Sequence, residues 1–278
     1  MYIDTHVHFW AIARDDYGWL KPDNSVLYRD YLPEHLLPEL KERGVDGVIA
    51  VQAAPTEAEA WFLLELSRRH PIIVGVSAGL DPYSDEFEAA VERLRSDPTF
   101  KGVRLNGGEF VKAQAEATSR AKMAAALRAL ERAELTLDTL TGPGALAAIA
   151  ELLAEAPALR CVVNHLGVPA SAGDARDATW SEGVERLSGL PNVYVKLSGM
   201  LTLSGRPEPL RPYVEALFER FGADRLMFGS DWPVALQAGG YADVVARFES
   251  LLPSGLGEEE LKLVRSGNAR HVYGIGKR

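Results

Sequence analysis

Short apolar runs rich in β-branched residues recur along the chain, and stretches with helical periodicity lie between them. The runs are apolar on both faces that a strand presents, which is typical of strands buried beneath helices. This alternation predicts a parallel sheet, either open or closed into a barrel. Eight strands are predicted, at Tyr2–His8, Gly47–Gln52, Ile72–Ser77, Gly102–Leu105, Leu135–Thr139, Cys161–His165, Val193–Leu197 and Leu226–Ser230.

The predicted helices have recognisable ends. Gly44 is a suitable residue to end a helix over Pro33–Arg43, because glycine adopts the left-handed conformation easily. The segment from Thr56 to Glu59 fits a capping box that opens a helix towards Arg69. No linker interrupts the series, so we predict one domain over residues 1–278. Further helices are predicted from Ser84 or Asp85 to Arg95, and over Ser119–Glu134, Gly144–Ala156, Ser181–Ser188, Leu210–Phe221 and Glu258–Ser266.

The positions of unusual polar residues favour a closed barrel. Such residues stand at the carboxyl ends of strands from the first to the last, whereas an open sheet concentrates its site at one switch point. In an eight-stranded barrel the first strand lies beside the last, which brings His6 and His8 close to Asp231. The chain contains neither of the glycine-rich phosphate loops of nucleotide-binding open sheets. We therefore predict an α/β fold, a single TIM-type (β/α)8 barrel.

Composition argues against several classes of protein. The net charge of −9 disfavours a general nucleic-acid binder, because phosphate neutralisation needs a positive surface. The single cysteine, Cys161, lies in an apolar run and is interpreted as a buried strand residue rather than a nucleophile. No apolar run approaches the ~20 residues that span a bilayer, and the first residues show no signal-peptide pattern. We predict a cytoplasmic protein that binds neither nucleic acid nor membrane.

Three strand ends carry residues suited to catalysis. His6 and His8 are two positions apart on the first strand, so their imidazoles point to the same face and can bind one metal ion or one substrate. Asp231 follows the apolar strand Leu226–Phe228 and is interpreted as a metal ligand or as the general base for water; a role in capping the next segment is the alternative. His165 ends the sixth strand and is interpreted as part of the same site; a buried core histidine is the alternative.

Four further polar residues lie at strand ends or within strands, and we interpret them as candidates for binding substrate. They are Gln52, Arg104, Asp138 and Lys196. Arg104 needs an anion or a polarised oxygen as partner, and a substrate or the neighbouring Asp138 can supply it. Lys196 and Gln52 can satisfy one another in the barrel mouth. The residues alone leave both interpretations open.

Several segments together resemble the lactonase-type branch of the amidohydrolase superfamily. That branch includes sugar-lactone hydrolases such as L-fuconolactonase and L-rhamnonolactonase, with 2-pyrone-4,6-dicarboxylate hydrolase as a relative. The matching segments are Ile3–Trp10, Tyr17–Leu20, Val51–Thr56, Lys101–Arg104, His165–Gly167, Lys196–Gly199 and Phe228–Pro233. They span nearly the whole chain, and it is their combination that is specific.

The resemblance implies a distorted, metal-dependent-hydrolase-like barrel that hydrolyses the ester bond of a small lactone, a sugar-acid or carboxylated lactone. By position, Asp231 would activate water, His6 and His8 would bind metal or substrate oxygens, His165 would polarise the carbonyl and Arg104 would hold the substrate. His6, His8 and Asp231 match one ligand set of catalytic zinc, so the implied cofactor is one divalent metal ion, with zinc as the candidate; metal-independent catalysis stays open.

The sequence departs from the pattern of the superfamily at three strands. Asn164 stands where an aspartate usually precedes the histidine of strand 6. Strands 5 and 4 offer Asp138 and Arg104 where metal-rich members carry a histidine and often a lysine. The departures at strands 4 and 5 argue against a binuclear metal site, while Asn164 could alter how His165 is oriented.

Two other functions stay open at this point. The identity of the substrate, the role of the tryptophans and the oligomeric state also stay open. The chain could be a metal-dependent decarboxylase of a small carboxylic acid, or a barrel that binds a small ligand without catalysis. The long loops Val168–Trp180 and Met200–Pro209 carry no residues diagnostic of a substrate. Trp10, Trp19 and Trp232 could stack on a sugar ring or pack beneath loops. The sequence also leaves open whether the chain forms a homo-oligomer.

Overall fold

The computed structural model describes residues 1–169, 174–204 and 210–276. Within them, eight parallel strands pair in sequence order from β1 to β8. All eight predicted strands are confirmed, and their ends differ from the prediction by no more than two residues. The strands are β1 (Tyr2–Val7), β2 (Val45–Val51), β3 (Ile73–Gly79), β4 (Phe100–Asn106), β5 (Thr136–Leu140), β6 (Cys161–Val163), β7 (Val193–Leu197) and β8 (Leu226–Phe228).

The sheet closes where β1 meets the segment that follows β8. Val7 forms an isolated parallel bridge with Trp232. The N–H of His8 donates to the carbonyl of Trp232 at 2.7 Å, and the N–H of Asp231 donates to the carbonyl of His6 at 2.8 Å. Fewer residues pair here than between any two neighbouring strands of the sheet. The barrel is therefore distorted and nearly closed. The predicted (β/α)8 barrel is confirmed.

Helices lie between the strands and pack their apolar stripes on the sheet. In the third helix, for example, Phe87, Val91 and Leu94 are buried, which is the spacing of one helix face. The helices are α1 (Pro33–Glu42), α2 (Glu57–Arg69), α3 (Phe87–Leu94), α4 (Gly107–Ala115), α5 (Ala117–Arg132), α6 (Pro143–Leu152), α7 (Asp174–Ser188), α8 (Met200–Ser204), α9 (Arg211–Phe221), α10 (Tyr241–Leu251), α11 (Glu258–Lys262) and α12 (Asn268–Val272).

Parts of the helical prediction were wrong. Helices α4 and α10 were not predicted, since each begins beside a pair of glycines, Gly107-Gly108 and Gly239-Gly240, and such pairs are typical of loops. Helix α7 begins seven positions before the predicted Ser181. The two segments predicted as long loops therefore contain helical residues; their residues 170–173 and 205–209 lie outside the described residues.

The carboxyl-terminal segment closes the amino end of the barrel. Val272 and Tyr273 pack inside the barrel against Ile49, Val162 and Met227. The hydroxyl of Tyr273 reaches further up the barrel axis to a buried carboxylate described below. A separate, larger core lies between the strands and the surrounding helices.

Cys161 is fully buried in β6, as predicted. Burial raises the pKa of its thiol, which opposes the thiolate form that a nucleophile needs. In the described part of the chain, no helix has the length and apolar character to cross a membrane. The cytoplasmic location stays a prediction.

Candidate active site

His6 and His8 lie side by side at the carboxyl end of β1, and both are buried. Their Nε2 atoms are 3.2 Å apart. The Nδ1–H of His8 donates to the carbonyl of Val51 at 2.9 Å, which leaves Nε2 of the ring directed at His6. Burial holds the pKa of His6 well below its ordinary value. A neutral imidazole is the form that binds a metal ion.

Asp231 completes this cluster from the end of β8. One carboxylate oxygen, Oδ1, is 3.5 Å from Nε2 of His8 and 3.7 Å from Nε2 of His6. The backbone of Asp231 has a φ of 63°, in the left-handed region that aspartate and asparagine tolerate better than most residues. This conformation turns the side chain towards β1.

His165 reaches the same carboxylate from the end of β6. Its Nε2 is 3.9 Å from Oδ1 of Asp231, and its Nδ1 is 2.9 Å from the hydroxyl of Ser198. Burial lowers the pKa of His165 to about 4, so the ring is neutral at pH 7. The ring packs against Gly199, where a Cβ would approach Nδ1 to 3.0 Å.

A cavity of about 430 Å³ opens above this cluster. Arg104 and Gln52 form part of its polar wall. The Nε–H of Arg104 donates to Oε1 of Gln52 at 2.5 Å. The remaining wall is largely aromatic and aliphatic, formed by Tyr17, Trp19, Ala53, Pro55, Leu140 and Val234, with Asn106 as a further polar group.

Asp138 and Lys196 lie elsewhere, on the barrel axis, and neither lines the cavity. Both are fully buried, and Nζ of Lys196 donates to Oδ1 of Asp138 at 2.5 Å. Ser77 donates to Oδ2 at 2.9 Å, and Tyr273 donates to Oδ1 at 2.9 Å. The observed pairs are therefore Arg104 with Gln52 and Lys196 with Asp138, rather than either pair expected from the sequence. Contact of Asp138 or Lys196 with substrate stays a prediction.

Sequence reasoning assigned no role to Tyr17 or Asn106, which both line the cavity. Trp19 also lines it, and its Nε1–H donates to the carbonyl of Ala53 at 2.7 Å. Tyr17 belongs to a segment that matched the family pattern, which was the only signal for it, whereas Trp19 was one of three tryptophans predicted as possible stacking faces. The other two, Trp10 and Trp232, are buried and do not line the cavity. Asn106 is the last residue of β4, and that position alone could have indicated it.

The donor atoms at the barrel mouth fit one metal ion. One nitrogen from His6, one from His8 and one oxygen from Asp231 all lie within 4.8 Å of one another. Two imidazoles and one carboxylate form a known protein ligand set of catalytic zinc. Two imidazole nitrogens that face each other at 3.2 Å are stabilised when a proton or a cation lies between them. The cluster therefore fits a mononuclear site.

Comparison with known proteins identifies the family of this chain. The sequence matches the amidohydrolase family over residues 3–275. The chain belongs to that family. An L-fucono-1,5-lactonase of Burkholderia ambifaria is 34% identical over 281 residues, which cover 99% of this amidohydrolase and 96% of the relative. The resemblance seen in the sequence is confirmed.

Solved structures of relatives share the fold of this amidohydrolase. A zinc-bound amidohydrolase from Burkholderia multivorans superimposes with a TM-score of 0.86 and 31% identity, covering 99% of this chain and 100% of that one. A probable 2-pyrone-4,6-dicarboxylic acid hydrolase from Acinetobacter baumannii, with citric acid bound, gives a TM-score of 0.80 at 20% identity, covering 98% and 99% of the two chains. At that identity the second match supports the fold alone.

Proposed function

We propose that this amidohydrolase opens a small sugar-acid lactone by hydrolysis, with L-fucono-1,5-lactone as the first candidate substrate. The observation that carries the proposal is the convergence of His6, His8, His165 and Asp231 beneath a cavity large enough for one sugar ring. A full-length relative named as an L-fucono-1,5-lactonase supports this class of substrate.

His6, His8 and Asp231 are the residues that would hold one metal ion, and zinc is the candidate because a relative at 31% identity binds it. When bound, the ion supplies positive charge that polarises the carbonyl and stabilises an oxyanion. The neutral state of His6, which its low pKa favours, keeps a ring nitrogen available for this role.

Asp231 is the group that moves protons in the proposed reaction. Its carboxylate takes a proton from water as the water oxygen bonds to the lactone carbonyl carbon. The ring carbon–oxygen bond then breaks, and Asp231 returns the proton to the leaving alkoxide. The product is an open hydroxy acid, which ionises and releases one proton to solvent at neutral pH. His165 is neutral and is in position to donate a hydrogen bond to the carbonyl oxygen.

The cavity walls would hold the sugar ring over this cluster. Arg104 and Gln52 offer donors to the hydroxyl groups of an aldonolactone. Trp19 and Tyr17 offer aromatic faces on which the less polar side of a sugar ring can stack. The polar and aromatic walls together suit a ligand that has both kinds of surface.

The experiment that tests the function is proton release in weakly buffered indicator solution, with the zinc-loaded protein. The panel contains L-fucono-1,5-lactone, other aldonolactones and 2-pyrone-4,6-dicarboxylate. Rapid acidification with at least one lactone is expected, and none across the panel would contradict lactone hydrolysis. Carbon dioxide release from aromatic acids would instead indicate a decarboxylase, and ligand-induced stabilisation without turnover would indicate a binding protein.

A further inference from the structure

Glu59 is a buried carboxyl group near the cavity that the proposed reaction does not use. It lies in the first turn of α2, and its side chain has no solvent exposure. Its Oε1 accepts a hydrogen bond from the N–H of Ala53 at 2.7 Å, while Oε2 has no hydrogen-bond partner among the described residues. Burying a carboxyl group costs free energy. In return, this one fixes the backbone of the turn that follows β2.

The two peptide groups that flank Ala53 are each held by one side chain. Glu59 accepts the N–H of Ala53, and Nε1–H of Trp19 donates to the carbonyl of Ala53 at 2.7 Å. Both Ala53 and Trp19 line the cavity. The turn after β2 is therefore clamped between α2 and the loop that follows β1.

The same turn orients the side chain of Gln52. The Nε2–H of Gln52 donates to the carbonyl of Ala54 at 3.2 Å, which directs Oε1 away from the turn. The Nε–H of Arg104 donates to that oxygen at 2.5 Å. A guanidinium group is planar and rigid, so anchoring Nε restricts the direction of its two terminal nitrogens.

We infer that Glu59 is a positioning residue that sets the substrate-binding geometry of Arg104 through the turn from Gln52 to Ala54. Glu59 does not line the cavity, and its effect passes through the backbone of Ala53 to the amide of Gln52. The inference rests on the proposed function, in which Arg104 holds a lactone oxygen. Loss of Glu59 is expected to weaken substrate binding while the proton transfers of Asp231 continue.

Steady-state kinetics on L-fucono-1,5-lactone test this with Glu59→Ala, Arg104→Gln and the double variant. Glu59→Ala is expected to raise KM about 10-fold, the effect of weakening one charged hydrogen bond, with kcat within about twofold. The double variant is expected to have the KM of Arg104→Gln alone, because residues that act through one another are not additive. Two independent increases in KM that multiply in the double variant would overturn the inference.

Three further variants separate positioning from stability. Glu59→Gln keeps an oxygen that can accept the N–H of Ala53, so KM should return to the wild-type value. Glu59→Asp is one methylene shorter, so KM should rise, and it replaces Glu59→Ala if that variant does not fold. The matched control is Ser67→Ala, which removes a buried hydroxyl on the same helix that donates to Leu64 at 2.7 Å; it should lower Tm and leave KM unchanged.

A crystal structure of Glu59→Asp gives a result that does not depend on turnover. Loss of the hydrogen bond between Arg104 and Gln52 supports the inference, even if the wild-type protein hydrolyses no lactone, in which case the proposed function alone fails. An Arg104 that keeps its position and its bond to Gln52 overturns the inference, whatever the kinetics show.

Discussion

His165 and Asp231 both have left-handed backbone conformations, with φ values of 54° and 63°. A non-glycine residue in this region costs about 1–3 kcal/mol, so the surrounding hydrogen bonds must hold it. The N–H of Asp231 donates to His6, and the N–H of His165 lies 3.2 Å from the hydroxyl of Ser198. Strained backbone conformations are common at active sites. Here they place the side chains of both residues close together at the barrel mouth.

Arg104 allows a test of substrate binding at the scale of one residue. Arg104→Gln removes the guanidinium from the cavity wall and should raise KM for an aldonolactone by about 10- to 100-fold, the range for a hydrogen bond to a charged group. The effect on kcat should be smaller, because Arg104 binds the substrate and takes no part in the proton transfers. KM and kcat from initial rates provide the measurement, and an unchanged KM would remove Arg104 from the binding site.

The residues that the sequence indicated best are those whose position along a strand defines their role. His6, His8, His165 and Asp231 stand at strand ends, and the structure brings all four together. Glu59 shows why other residues were not found. The capping box was half right: Thr56 accepts the N–H of Glu59, but the Glu59 side chain bonds Ala53 instead of Thr56. Which N–H group the Glu59 carboxyl accepts depends on the backbone path of the turn after β2, and the sequence pattern does not show that path.

Strands and helices differed in how well the sequence predicted them. Every strand was found because each is a short apolar run between polar segments. The depth of each side chain in the barrel was not predictable, because it follows from the stagger of the strands. Arg104 and Asp138 are register partners on β4 and β5, yet Arg104 lines the cavity and Asp138 bonds Lys196.

The buried position of Glu59 on α2 makes the free energy of unfolding depend on pH. Desolvation raises the pKa of Glu59 from 4.5 to about 8, although the backbone N–H groups of Ala53 and Ala54 oppose this. The folded chain then holds a proton that the unfolded chain releases, so stability falls as pH rises through this interval. Glu59→Gln should flatten the dependence. Urea unfolding at pH 5, 6, 7 and 8 measures it, and equal slopes in both proteins would show that Glu59 ionises normally.

At the scale of the molecule, one polar network ties the chain terminus to the barrel axis. Tyr273 enters from the amino end and donates to Asp138, which also accepts from Lys196 and Ser77. This network lies inside the barrel, while the catalytic candidates lie at its carboxyl end. The arrangement agrees with the division of barrel enzymes into a stabilising lower part and a reactive mouth.

Tyr273→Phe tests the structural role of this network. Removing one donor from the buried carboxylate of Asp138 should lower the free energy of unfolding by about 1–3 kcal/mol and leave KM unchanged. Tyr194→Phe is the matched control, because Tyr194 packs in the same interior cluster and its hydroxyl makes no hydrogen bond among the described residues. Urea denaturation compares the two variants, and equal losses would show that the hydroxyl of Tyr273 contributes nothing specific.

The most direct test of the account is the hydrolysis rate of Asp231→Asn. Asparagine also tolerates the left-handed backbone at this position, so the variant should fold, with a wild-type circular dichroism spectrum. It cannot accept a proton from water, and kcat/KM for L-fucono-1,5-lactone should fall by at least about 100-fold. The measurement is proton release by both proteins loaded with zinc. A folded Asp231→Asn that keeps a near wild-type rate would contradict the assignment of Asp231 as the general base.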